Sequence, residues 1–326
     1  MQLQTLIALL ATCTSLTLAG PVSNAGAGLK TEAGAEMIRY WQSVLEDSER
    51  QALDLDKPEK ASSLSLDALA HVLDRREPFI KVINVESDHY MPPGLHLTEF
   101  EAVHLAQIVK PQVHIEALIL ENQPIGDNGM AAFADAMKGK ELAYLKLQRN
   151  RMGPEGALAW ARLLKEQSSL EVLEVVNNFI GDEGVMELAK ALLHHPNLEI
   201  LILDNIGISN SGAKAVAQVL PQLKNLKSLS IINDEINDEG AMAVIDAIKS
   251  VDKMKTLDLS EGRLSEDVVL ALEDAQRRLI EPVRMLSLKE RKLRNKAQPL
   301  PVRMKAGWNR FLLKISPWRP PNPYDE

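Results

Sequence analysis

The groups with which this 326-residue chain could do chemistry are seven histidines, one cysteine and many carboxylates. Four histidines, His89, His96, His104 and His114, fall close together but are spaced irregularly, and they follow no metal-ligand signature. His194-His195 closes an apolar run, where an imidazole meets the negative end of a helix dipole. Carboxylates such as Asp182-Glu183 and Asp238-Glu239 precede segments of helical period, the place of helix-start residues rather than of an acid–base dyad. The one cysteine, Cys13, lies in an apolar N-terminal run, so a chain without that run has no thiol nucleophile. The chain contains no phosphate-binding GxxxxGK[ST], no GxSxG and no HExxH. The expectation is a protein that is not an enzyme, with no cofactor, no metal and no small-molecule substrate.

A binding surface needs elements to position it. Thr5 to Ala19 is apolar and uncharged for 15 residues, shorter than the roughly 20 of a membrane span, and small residues follow it. It reads as a secretory signal peptide over residues 1–19, with cleavage as late as residue 25, and predicts a secreted protein. Hydrophobic residues make up 45% of the chain and aromatic ones only 4%, which suits a core of stacked aliphatic side chains.

Six segments align, beginning at Ile115, Leu142, Leu170, Leu198, Leu226 and Met254, with spacings of 27 and then 28 residues. Counting each start as position 1, positions 1, 4, 6 and 11 are aliphatic or Met throughout. Position 15 is Gly129, Gly156, Gly184, Gly212 and Gly240 in the first five copies. Positions 4 and 6 alternate about position 5, so they share the core face of a short strand. Position 11 closes the turn beneath it, and the glycine lets the following helix pack closely on the next. Degenerate copies at Ile80–Val85 and Val283–Leu288 bring the expected strands to about eight.

The pattern LxxLxLxxNxLxxxG with a helical 28-residue repeat resembles the ribonuclease-inhibitor-like class of leucine-rich repeats. The resemblance implies an α/β solenoid, a horseshoe with parallel strands on its concave face and helices on its convex one. Position 9, an asparagine in that class, survives only as Asn150 and Asn178; elsewhere it is Gln123, Ile206, Asp234 and Gly262. The organisation expected is a signal peptide, a helical N-terminal cap over 29–79, a repeat solenoid over 80–293, and a basic, proline-rich tail over 294–326. Within the cap, helices are expected over Glu36–Leu55 and Leu66–Leu73. The combination of leader and repeats resembles secreted effectors of filamentous pathogens, which implies delivery into a host cell.

Positions 3, 5 and 7 point away from the core. They place Val172, Val176, Ile200, Ile202 and Ile232 in an apolar island with Tyr144, rimmed by Lys146, Glu174, Asp204 and Asp258. Exposed apolar patches mark partner sites, so these ten residues are the candidate surface for a protein partner. The alternative lies in the tail. Arg277 to Arg319 holds 13 basic residues and 2 acidic ones in a chain of net charge −8, a balance suited to an anionic membrane or a nucleic acid.

Overall fold

The structure, a computed structural model, describes residues 31–46, 52–54, 63–74, 80–86, 97–232, 235–259 and 264–279. The chain divides into two units, 1–279 and 280–326. The second unit lies outside the described residues, as do the leader, the copy at Val283–Leu288 and the basic tail.

In the first unit strand and helix alternate from end to end: α1 (Glu32–Glu46), β1 (Ala52–Asp54), α2 (Ser63–Asp74), β2 (Val82–Glu86), α3 (Glu99–Val109), β3 (Ala117–Glu121), α4 (Gly126–Ala136), β4 (Tyr144–Gln148), α5 (Pro154–Leu164), β5 (Val172–Val176), α6 (Gly181–Leu192), β6 (Ile200–Asp204), α7 (Asn210–Val219), β7 (Ser228–Ile231), α8 (Asp238–Ile248) and β8 (Thr256–Leu259). Residues 266–279 are helical again. Among the described residues the strands form one eight-stranded sheet in sequence order. Every pairing is parallel, from Ala52 beside Val82 to Ser228 beside Thr256. Each strand therefore needs a crossover, and the helix supplies it.

The leucine columns lie where their spacing puts them. Leu118 and Leu120, Leu145 and Leu147, Leu173 and Val175, and Leu201 and Leu203 are all buried beneath the sheet. Positions 1 and 11 join them, with Leu170, Leu198, Met152, Ile180 and Ile208 fully buried. Each such side chain contributes roughly 1.5–3 kcal/mol of burial before conformational entropy is subtracted.

The N-terminal region differs from expectation. The helix predicted over Glu36–Leu55 ends at Glu46, and Ala52–Asp54 instead forms a strand that extends the sheet beside Val82–Asn84. The expected cap thus contains a degenerate repeat of its own, which puts the backbone groups of β2 in a ladder rather than at an edge.

Three further columns hold the repeats together. The first is the asparagine site. Asn178 Nδ2 donates to the Leu147 carbonyl (2.9 Å) and its Oδ1 accepts from Asn150 N–H (3.2 Å) and Met152 N–H (3.0 Å). Asn150 does the same one repeat earlier, to the Leu120 carbonyl (2.9 Å) and from Gln123 N–H (3.1 Å), and Gln123 accepts from Leu97 N–H (2.8 Å). The ladder runs through Gln123, Asn150 and Asn178 and gives way to apolar burial at Ile206.

The second column caps helices across repeats. Asp127 Oδ1 accepts from Gly153 N–H (2.6 Å) and Gly156 N–H (3.0 Å) at the start of α5. Asn210 accepts from Asn237 N–H (3.0 Å) and Gly240 N–H (3.2 Å) at the start of α8. Such acceptors stand against three glycines of the column, Gly156, Gly212 and Gly240, whereas Gly129 is confined by Ile125 and Gly184 by Ala157 and Ile180. A Cβ on Gly156 would stand 2.7 Å from Asp127 Oδ1, and one on Gly240 would stand 2.6 Å from Asn210 Oδ1. Where Pro154 occupies the acceptor position, the next helix, α6, starts without a side-chain cap.

The third column closes the other helix ends. Buried Lys140, Gln167 and His195 occupy position 26 of successive repeats. They donate to the Lys110 carbonyl (2.9 Å), the Met137 carbonyl (3.2 Å) and the Leu164 carbonyl (2.9 Å) of the preceding repeat. The last carbonyls of a helix have no partner inside it, and these side chains supply one. Leu223 and Val251 take the position in the next two repeats, both buried.

Candidate functional site

The outer face of the sheet is built in rows. One row joins Tyr144, Val172, Ile200, Ser228 and Thr256; the next joins Lys146, Glu174, Ile202, Ser230 and Asp258; a third joins Gln148, Val176 and Asp204. Parallel strands lie about 4.8 Å apart, so the candidate residues are neighbours, as their spacing requires. Their depth is another matter. Tyr144, Val172 and Glu174 are buried, Tyr144 completely; Lys146, Val176, Ile200, Ile202, Asp204 and Ile232 are half-buried, and only Asp258 is exposed. The expected open apolar island is thus a half-closed one, with its exposed end toward β8.

Three of the four expected rim residues, Lys146, Glu174 and Asp204, are engaged by neighbouring residues. Lys146 Nζ pairs with Glu121, and Tyr144 Oη donates to Glu174 Oε1 at 2.9 Å. Asp204 Oδ1 accepts from Ser230 Oγ at 2.7 Å and from Ile232 N–H at 3.0 Å. Burial pushes the Glu174 carboxyl above its ordinary value, with Glu121 adding to the effect; the Lys146 charge and the Tyr144 hydroxyl oppose it. Long side chains reach diagonally between strands, and sequence alternation reveals the side a residue faces but not such partners.

The histidines do not converge. His104 Nε2 lies 3.6 Å from Asp67 Oδ1 of α2, and His195 is enclosed at the end of α6. His89 and His96 lie outside the described residues. No three His, Cys, Asp or Glu side chains among the described residues are placed to share a metal ion.

The loops that leave the strands hold residues the sequence reading missed. Position 8 is left-handed in four successive repeats: Asn122 (φ 56°), Arg149 (φ 53°), Asn177 (φ 52°) and Asn205 (φ 53°). Each N–H reaches the last carbonyl of the next strand's row, as Arg149 N–H does to Val176 at 3.0 Å. Arg151 (φ 57°) is left-handed and exposed, and Phe179, one repeat on, is 72% exposed. The signal in the sequence was Arg149 in a column where the neighbouring repeats carry Asn122, Asn177 and Asn205, with Arg151 two residues on.

The strand–helix alternation, the sequential parallel sheet and the recurring leucine columns define a leucine-rich-repeat solenoid. Residues 166–189 match the family model described as Leucine Rich repeat. The chain is similar in structure to leiomodin-1 actin-binding site 2, at 13% identity and a TM-score of 0.31, over 70% of this chain and 96% of that one. It is similar also to the tropomodulin C-terminal domain of Caenorhabditis elegans, at 14% identity and a TM-score of 0.36, over 59% of this chain and 98% of that one. No curated protein matches the sequence.

Proposed function

We propose that this chain is a non-catalytic protein-binding solenoid whose partner docks on the outer face of the sheet from β5 to β8. The observation that carries the reading is the placement of Ile200 and Ile202. Both are half-buried on the outward side of a central strand, flanked in register by Val172 and Glu174 on one side and Ser228 and Ser230 on the other. A strand face left open to water has no covering layer for apolar side chains, and a pair of isoleucines there offers apolar anchors that a partner can cover. Asp258, exposed at the open end of the same row, adds a charge that selects a basic group.

The test is affinity capture with the wild type, Ile202→Glu and the milder Ile202→Ser, each first shown to be folded by circular dichroism. Lys190→Glu on α6 serves as the control. Loss of the same captured protein by both Ile202 variants, with retention by Lys190→Glu, supports the reading. Normal capture by a folded Ile202→Glu protein overturns it.

Export belongs to the same reading. It is supported by the apolar run Thr5–Ala19 and by the confinement of cysteine to it, and delivery into a host cell is its extension. An exported protein whose intact mass still includes Cys13 would end this part of the proposal. The basic stretch from Arg277 to Arg319 favours a second reading, binding to an anionic membrane or nucleic acid. Liposome and DNA co-sedimentation, with and without residues 277–326, separates it from the first.

A further inference from the structure

Phe179 is the most exposed large apolar side chain among the described residues, at 72%. It sits in the loop between β5 and α6, and its N–H donates to the Met152 carbonyl at 2.8 Å, which seats it beside the loop carrying Arg149 and Arg151. On its other flank, one repeat on, is Gly207, where an added Cβ would meet nothing within 4 Å. The loop carrying Phe179 thus lies between the arginine-bearing loop on one side and the open glycine position on the other.

Both arginines occupy backbone conformations that arginine disfavours. Arg149 has φ 53° at the position held by Asn122, Asn177 and Asn205 in the neighbouring repeats, and Arg151 has φ 57° at the position where Gly207 has φ 78°. Asparagine and glycine tolerate the left-handed region; an ordinary side chain there is strained. The surrounding repeat holds this strain, for example through the bond from Arg149 N–H to the Val176 carbonyl, and strained positions gather at functional sites. Neither guanidinium has an ion pair among the described residues, although many of the chain's lysines do.

We infer that this loop edge is a docking site for a short acidic segment of a partner protein, one or two carboxylates beside an apolar side chain. The inference rests on the reading of the chain as a protein-binding solenoid, but uses a different surface. The guanidiniums of Arg149 and Arg151 take the carboxylates in forked hydrogen bonds, and Phe179 takes the apolar side chain. The acidic residues at the adjoining helix starts limit the charge of the ligand. Asp127 and Asp182 are committed to backbone N–H groups, but Glu155 and Glu183 remain exposed on α5 and α6. A polyanion such as a nucleic acid, which binds by neutralising many phosphates, would meet them; a peptide with two carboxylates need not.

The experiment probes the full-length protein with an array of hexapeptides that vary two Asp or Glu residues around one Leu, Phe or Trp, with Asn and Gln versions and a single-stranded oligonucleotide alongside. Affinities are then measured by fluorescence anisotropy. Acidic apolar peptides should bind saturably, lose affinity with added salt, and weaken tenfold or more in Arg151→Glu and in Phe179→Ser. Arg149→Asn should weaken binding while shifting the urea midpoint upward, since it relieves the backbone. Ile202→Glu should leave peptide binding unchanged, so failure of the sheet-face reading is separate from failure here. Absence of saturable binding, equal binding by the Asn and Gln peptides, unchanged affinity in Arg151→Glu and Phe179→Ser, or stronger binding of the oligonucleotide overturns the inference.

Discussion

Asp182 caps a helix that is not its own. Its Oδ1 accepts from Ser209 N–H at 2.8 Å and from Gly212 N–H at 2.9 Å, and its Oδ2 accepts from Ser209 Oγ at 2.6 Å, all at the start of α7, one repeat along the chain. A residue at the beginning of α6 therefore satisfies donors that α7 cannot satisfy itself. Asp182→Ala should cost about 1–3 kcal/mol, since it leaves partly buried N–H groups without an acceptor. Asp182→Asn should cost much less, because Asn210 performs the same task one repeat later. Urea unfolding of both variants beside the wild type tests this, and a wild-type midpoint for Asp182→Ala would show that the cross-repeat cap contributes nothing.

The register of the core makes a second prediction. Leu201 is fully buried, and its truncation to Ala should cost about 2–5 kcal/mol. Lys227 is partly exposed and paired with Glu199, so Lys227→Ala should stay within about 1 kcal/mol of wild type. Chemical denaturation with matched m-values compares them directly.

His195 makes the fold sensitive to acid. Its Nε2 donates to the Leu164 carbonyl (2.9 Å) and its Nδ1 accepts from Leu170 N–H (3.2 Å), an arrangement open only to the neutral ring. Burial, first, and the neighbouring His194 hold its pKa below the usual 6.5; the Leu164 carbonyl and Glu141 oppose them. The unfolded chain then takes up a proton that the native chain resists. Stability is whole above about pH 6.5 and falls as pH drops toward the folded value, by at most about 1.4 kcal/mol per pH unit for one proton. Denaturation midpoints between pH 7 and 5 should decline in the wild type and decline less in His195→Gln, since Gln167 closes the preceding helix in the same way.

Glu174 acts with the opposite sign. Its carboxyl is raised by burial, so the native state favours the protonated form, and ionisation opposes folding as pH climbs through the folded value. Glu174→Gln should raise the midpoint at pH 7, and the gain should fade as pH falls toward the ordinary 4.5. A variant less stable than wild type at pH 7 would mean that the Lys146 attraction outweighs the burial.

The period and the leucine columns were legible in the sequence because each repeat buries the same positions. The strand at Ala52–Asp54 was not, since three residues carry no column and the apolar spacing of α1 runs into it. On the outer face, alternation gave the correct side for Tyr144 and Glu174 but not their enclosure, which depends on side chains of a neighbouring strand reaching across. The polar column of Lys140, Gln167 and His195 has the same spacing as the leucines. It went unread because three different residue types perform one task, and each donates to a backbone carbonyl that leaves no mark in the sequence.

The sheet order, in which each strand pairs only with the strands before and after it, bears on how the protein is made. Among the described residues no strand waits for a distant part of the chain, and pairings span about one repeat rather than the whole length, a topology that favours rapid closure. The N-terminal repeats can assemble while later ones are still being synthesised, and each new unit finds its template already in place.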